Sequence, residues 1–99
     1  MQVDVQMDYD AMEDMARAFE QGAQDLSQAA SRLKQVAQKL DDGAMLGKAG
    51  DAMADACRQD GAPGLEKLGG KLTEEARDIR DAVREMQQGV AQARGKFSG

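Results

Sequence analysis

The sequence predicts an all-α protein, an antiparallel helical hairpin (a helix-turn-helix rod) that dimerises into a four-helix bundle. Three observations support this fold class. Large apolar residues return every seven positions in each half of the chain, a glycine-rich turn separates the halves, and 99 residues leave no material for a third layer. A sustained heptad repeat is typical of a helix that winds against a partner helix. We therefore expect one domain over residues 9–94.

The N-terminus shows a different pattern, since its first nine residues alternate apolar and polar side chains. A period of two predicts an extended segment, so residues 1–8 are expected to form an N-terminal arm, either lying along a neighbour or disordered. Asp10 and Glu13 have the spacing of a capping box, which places the start of the first helix near residue 9.

The first helix, about residues 9–42, carries one apolar stripe of large and small residues in a fixed order. An alanine in every heptad lets a facing backbone approach closely, while the large side chains fill the space on either side. The large residues are Met12, Phe19, Leu26, Leu33 and Leu40, and the small ones are Ala16, Ala23, Ala30 and Ala37.

Glycine and proline mark the two interruptions of the helical pattern. Gly43 suits the left-handed conformation that follows a helix end, so residues 43–49 are expected to form the turn. Pro63 removes a backbone donor and clashes with the preceding turn. We expect a kink or a short break near residues 60–64, because the apolar stripe continues beyond it.

The second helical rod, about residues 50–94, has two apolar seams, and residues 95–99 are expected to form a flexible tail. The two seams consist of Leu65, Leu72, Ile79 and Met86, and of Leu68, Ala76, Val83 and Val90. Two helices cannot cover so wide a stripe, and Met15 widens it further. Domains of this size are marginally stable alone, so we expect dimerisation. The alternative is that the methionines only fill the seam within one hairpin.

Composition argues against several kinds of chemistry. The chain has no His and one Cys, so it lacks an imidazole base and the ligands of a structural zinc site; we expect no catalytic residues, no metal and no cofactor. Cys57 is expected to act as a small apolar residue. The net charge of -5 disfavours nucleic-acid binding, and apolar runs of at most three residues disfavour stable membrane insertion or a Sec-type signal peptide.

The turn carries a short motif of five residues. Met45 and Gly47 are separated by one residue, alanines follow at Ala49 and Ala52, and Met53 comes next. This segment resembles the WXG (Trp-Xaa-Gly) family of ESAT-like proteins of about one hundred residues, which are helical hairpins with the tripeptide at the turn. Met45 stands at the position of the family's Trp and Met53 at the position of its usual Phe. The resemblance covers about residues 9–90.

The resemblance implies a small non-enzymatic secreted protein, similar to substrates of the type VII (ESX) secretion system. Such a protein folds in the cytoplasm and leaves the cell by a route that needs no signal peptide. Its implied partners are a same-family hairpin, in a homodimer or heterodimer, and the membrane ATPase of the secretion system. In the family the turn also lies near a groove that the secretion machinery recognises.

The C-terminal half departs from the family pattern, because nothing after Met86 matches the export signal Tyr-x-x-x-Asp/Glu. A partner could carry that signal, the signal could differ, or the chain could be shortened. The alternative function is therefore a cytosolic adaptor, or chaperone-like hairpin, that pairs with a larger type VII effector.

Overall fold

The chain folds into one extended rod of two long antiparallel helices, which confirms the predicted all-α hairpin. The computed structural model describes residues 8–97, and side chains up to residue 89. Helix α1 spans Tyr9–Lys39, α2 spans Lys48–Asp55 and α3 spans Ala62–Phe97. The rod measures 77 × 22 × 17 Å. Most of the predicted arm, residues 1–7, lies outside the described residues.

Helix α1 begins at Tyr9 because Asp8 caps it. The Oδ1 atom of Asp8 accepts a hydrogen bond from the Ala11 N–H at 3.0 Å, which satisfies one of the donors that a helix start leaves free. The capping box predicted for Asp10 and Glu13 is therefore wrong. Asp10 lies inside the first turn, where its charge suits the helix dipole, and the Glu13 carboxylate reaches Arg80 of α3 instead.

The turn depends on three glycines, each for a different reason. A π-helical turn over Leu40–Ala44 closes α1 with Gly43 at φ 108°, as the sequence predicts for this residue. Gly47 precedes α2 at φ 91°, which an L-residue rarely adopts. Gly50 is buried, and a Cβ atom built on it would lie 2.0 Å from the Met45 carbonyl oxygen. The backbone at Met45 thus packs directly against the start of α2.

The second rod runs through Pro63 without a break in helical backbone. Residues Ala56–Gly61 form a wider, π-helical turn between α2 and α3, and the Ala62 N–H donates to the Cys57 carbonyl oxygen. The wider turn ends two residues before Pro63, which cannot donate a helical hydrogen bond. Helix α3 continues to Phe97, so its last three residues occupy the start of the predicted 95–99 tail.

The core between the helices is made of small residues. In the described part of the chain, every fully buried apolar side chain is an alanine, and Gly69 is buried among them. A Cβ atom on Gly69 would lie 3.4 Å from the Ala23 carbonyl oxygen, so α1 and α3 approach closely there. The buried alanines are Ala16, Ala30, Ala37, Ala54, Ala62 and Ala76.

Candidate interaction surface

One side of the hairpin, here called the polar flank, is closed by ion pairs between α1 and the second rod. Lys34 Nζ lies 2.6 Å from Glu66 Oε1, and Arg80 contacts two carboxylates of α1. A further pair joins Arg58 to Asp41 beside the turn. The polar flank consists of Glu13, Glu20, Lys34 and Asp41 on the side of α1, and of Arg58, Glu66 and Arg80 on the other.

Arg80 is the centre of the polar flank because it joins two turns of α1. Its guanidinium donates to Glu13 at 3.0 Å and also to Glu20. These hydrogen bonds, that to Glu13 first, raise the pKa of Arg80 above its usual range. The hydrogen bond from Arg80 likewise holds the pKa of Glu13 below its ordinary value of 4.5. The contact fixes the register of the two helices more than it adds stability, since all three side chains are partly exposed.

The opposite side, here called the apolar flank, is lined mainly by apolar side chains, with Glu75 seven residues after Leu68. In α1, each residue that forms an ion pair with α3 is followed two positions later by an apolar residue or a glycine. Two positions correspond to about 200° around the helix, so these residues lie on the other side of α1 from the ion pairs. In α3 a leucine directly precedes Glu66 and an isoleucine directly precedes Arg80. Both lie on the other side of the row of buried residues in α3. The apolar flank consists of Met15, Gly22, Ala29 and Val36 of α1 and of Leu65, Leu68, Leu72 and Ile79 of α3.

Solvent still reaches the large side chains of the apolar flank. Met15 is 46% exposed, Val36 44% and Leu68 49%. Leu72 packs beside Gly22, where its Cδ1 atom lies 3.2 Å from the position of a Cβ on the glycine. Exposed apolar side chains on one flank make it the candidate surface for contact with another molecule.

The hairpin tip presents the turn motif. Leu46 is 82% exposed, and Met45 and Met53 are both nearly half exposed. Ala49 and Ala52 are exposed on α2. The motif residues therefore share one end of the rod, and they do not converge on a buried site.

The other predicted interface residues divide by burial. Four of the predicted alanines are buried in the seam, and Met15 and Leu68 are the exposed members. The half-buried members are Met12, Phe19, Ala23, Leu26, Leu33, Leu40, Leu65, Leu72, Ile79, Val83 and Met86, while the side chain of Val90 lies outside the described residues.

Two features of the site were missed from the sequence. The close approaches at Gly50 and Gly69 depend on which backbone faces them, and no local pattern marks that. The polar flank had a signal that was overlooked, because Glu13, Glu20 and Lys34 are spaced by seven and fourteen residues. Fourteen residues also separate Glu66 from Arg80. Charges that recur with the apolar repeat lie on one face and can pair across it.

Comparison with known families identifies the hairpin. The family model described as proteins of 100 residues with WXG matches residues 4–60. The chain belongs to the WXG100 family. The match covers more than half of the chain and includes α1, the turn and α2. No curated protein and no solved structure shows significant similarity to it.

Membership confirms the family resemblance predicted from the sequence. The position of Met45 in the place of the family's Trp stays a prediction. WXG100 proteins are non-enzymatic secreted hairpins that typically dimerise. Among the helices that the structure describes, none combines the length and the apolar character that a membrane crossing requires.

Proposed function

We propose that this protein is a substrate of a type VII secretion system and acts by pairing, through its apolar flank, with another helical hairpin of its family. The observation that carries the pairing is the contrast between core and surface. In the described part of the chain every fully buried apolar side chain is an alanine, whereas the large apolar side chains of Met15, Val36 and Leu68 are about half exposed. The part of the function that concerns secretion rests on membership in the WXG100 family.

The difference between the two flanks supports the apolar flank as the face that meets the partner. Ion pairs already join α1 and α3 across the polar flank, and a partner there would have to desolvate several charges at a high cost. The cost is lower on the apolar flank, because the eight residues that define it carry no charge. Complete burial of an exposed Leu, Val or Met side chain is worth about 1.5–3 kcal/mol, so covering one that is already half buried gains about half of that.

Pairing is tested by light scattering on the wild type and on two variants with the same added charge. Val36→Asp places a carboxylate on the apolar flank and is expected to give a monomer at micromolar concentration. Gln35→Asp is the matched control, because this neighbouring residue is exposed and faces away from both flanks. Identical masses for the two variants would contradict pairing through the apolar flank.

Export is tested in cells that carry the secretion system. The protein is expected in the culture medium, and deletion of the secretion ATPase is expected to remove it from the medium while a cytosolic marker stays inside. Equal amounts in the medium with and without the ATPase would refute the proposed route. Retention in the cytosol in a complex with a larger effector would instead support the adaptor function.

A further inference from the structure

Helix α2 is attached to the rod through a joint at each end. Toward α1, Gly43 and Gly47 have φ angles of 108° and 91°, and no other residue in the described part of the chain has a positive φ. Glycine adopts such angles as readily as negative ones, so the backbone can change direction here at little cost. Toward α3, the joint is the π-helical turn Ala56–Gly61. Sharp bends in helices often occur at turns of this kind.

The α3 side of the second joint is anchored on α1. Gly61 lies against Leu33, because a Cβ atom built on the glycine would be 2.9 Å from the Leu33 Cδ1 atom. Ala62, the first residue of α3, is fully buried. The tight packing of the rod therefore begins at residue 61, and a movement about this joint moves α2 while α3 stays in place.

Helix α2 itself buries little apolar surface. Two of its eight residues are buried, Gly50 and Ala54, and neither has a side chain larger than a methyl group. Met53 is the one large apolar residue of α2, and it is 49% exposed. A segment with few buried apolar contacts opens at a lower free energy than the rest of a protein. The packing of α2 thus makes it the weakest helix of the hairpin.

One ion pair joins the two joints to each other. Arg58 lies in the π-helical turn before α3, and its guanidinium donates a hydrogen bond to the carboxylate of Asp41 in the π-helical turn that ends α1. This hydrogen bond raises the pKa of Arg58 above its usual range. The other ion pairs described between the two rods join α1 directly to α3, away from α2. The pair of Arg58 and Asp41 is therefore the one placed to hold both joints together.

We propose that α2 opens and closes as a unit about these two joints, and that the ion pair between Arg58 and Asp41 is the strap that favours the closed form. The rod of α1 and α3 stays folded when α2 opens. Opening exposes Gly50 and Ala54 and changes the shape of the end of the hairpin that carries the turn motif. This conformational device goes beyond the proposed function, and it does not involve the apolar flank.

Hydrogen exchange followed by mass spectrometry tests the opening in the full chain at neutral pH. The amides compared are those of residues 51–55, beginning with the Asp51 N–H that donates to the Gly47 carbonyl oxygen at 3.1 Å, and those of residues 24–36 in the middle of α1. Residues 51–55 are expected to exchange together and about tenfold faster or more. Low concentrations of urea should accelerate residues 24–36 more strongly, because global unfolding exposes more surface than the opening of α2.

The strap is tested by Arg58→Gln, with Lys34→Gln as the matched control. Each change removes one positive charge and one ion pair between the rods, since Lys34 pairs with Glu66. Arg58→Gln should raise the exchange of residues 51–55 by about two- to fivefold, the range expected for a partly exposed pair. Lys34→Gln should leave residues 51–55 at the wild-type rate, because its pair is intact in the closed and the open form.

The middle of α1 provides an internal reference for both variants. Each lost pair is present in the native state and absent after global unfolding, so residues 24–36 should exchange faster by a similar factor in Arg58→Gln and Lys34→Gln. The double variant Asp41→Arg with Arg58→Asp reverses the pair and should return residues 51–55 to the wild-type rate. Circular dichroism before exchange checks that every variant is helical.

Three results would overturn the proposal. Residues 51–55 that exchange no faster than residues 24–36 would show that α2 opens only when the whole hairpin unfolds. An equal acceleration of residues 51–55 by Lys34→Gln and Arg58→Gln would show that the pair at the joints acts on the whole hairpin. Exchange in the double variant as fast as in Arg58→Gln would show that no ion pair holds α2 closed.

Discussion

Gly50 is expected to be essential for the stability of the turn, although it lies in a helix where alanine normally stabilises. A Cβ atom at this position would lie 2.0 Å from the Met45 carbonyl oxygen and 2.8 Å from its carbon, and real Cβ contacts essentially never fall below 3.0 Å. The obstacle is backbone, which cannot move aside as a flexible side chain can. The Gly50→Ala variant must therefore open the turn by about 1 Å.

The expected magnitude comes from two opposing contributions. Alanine gains about 1 kcal/mol over glycine inside a helix. Forcing extra volume into a packed site costs about 1–3 kcal/mol, and a contact with backbone belongs at the upper end. We expect the Gly50→Ala variant to lose about 2 kcal/mol of unfolding free energy. Gly70→Ala is the control, because Gly70 is exposed in α3 and a Cβ there meets nothing within 4 Å.

Urea unfolding followed by circular dichroism at 222 nm measures both variants at one protein concentration, since association contributes to apparent stability. Gly70→Ala is expected to gain up to about 1 kcal/mol, so the two variants should differ by about 3 kcal/mol. A Gly50→Ala variant as stable as the wild type would show that the close approach of Met45 to α2 does not hold the turn.

Two further predictions concern the contacts between α1 and α3. The stabilising effect of Arg80 should depend on pH: because the pKa of folded Glu13 is lowered, the contact stabilises the protein at neutral pH, above the ordinary value of 4.5, and is lost as the pH falls through the lowered pKa. The urea midpoints of wild type and Arg80→Gln should therefore differ at pH 7 and draw closer as the pH falls below 4.5; a difference that stays constant as the pH falls would contradict this. Ala30 is 1% exposed in the alanine seam, so Ala30→Leu should destabilise by about 1–3 kcal/mol, while Ser31→Leu on the exposed neighbouring position should stay within about 0.5 kcal/mol of wild type. Equal urea midpoints for Ala30→Leu and wild type would show that the helices have room to separate.

The sequence predicts the repetitive parts of this fold well because each repeated position reports the same environment many times. Five large residues and four alanines in register leave one arrangement for α1, a helix with a narrow seam of small residues. The cap differed because Asp8 and Asp10 both have a carboxylate at a suitable distance from the helix start, and only the backbone path selects between them. The need for glycine at position 50 was missed for a similar reason. It comes from the Met45 carbonyl, which lies on the other side of the turn.

The seam of buried alanines links the fold of the hairpin to the exposure of its apolar flank. A buried methyl group contributes about 0.8 kcal/mol, so the six buried alanines contribute about 5 kcal/mol between them. Further gains are available from side chains such as Met15, Val36 and Leu68, which the hairpin alone leaves about half exposed. Small residues in the seam bring the helices close enough for their large neighbours to form a continuous flank on one side. The small residues that limit the stability of the single hairpin therefore leave exposed the apolar flank through which the proposed pairing would stabilise it.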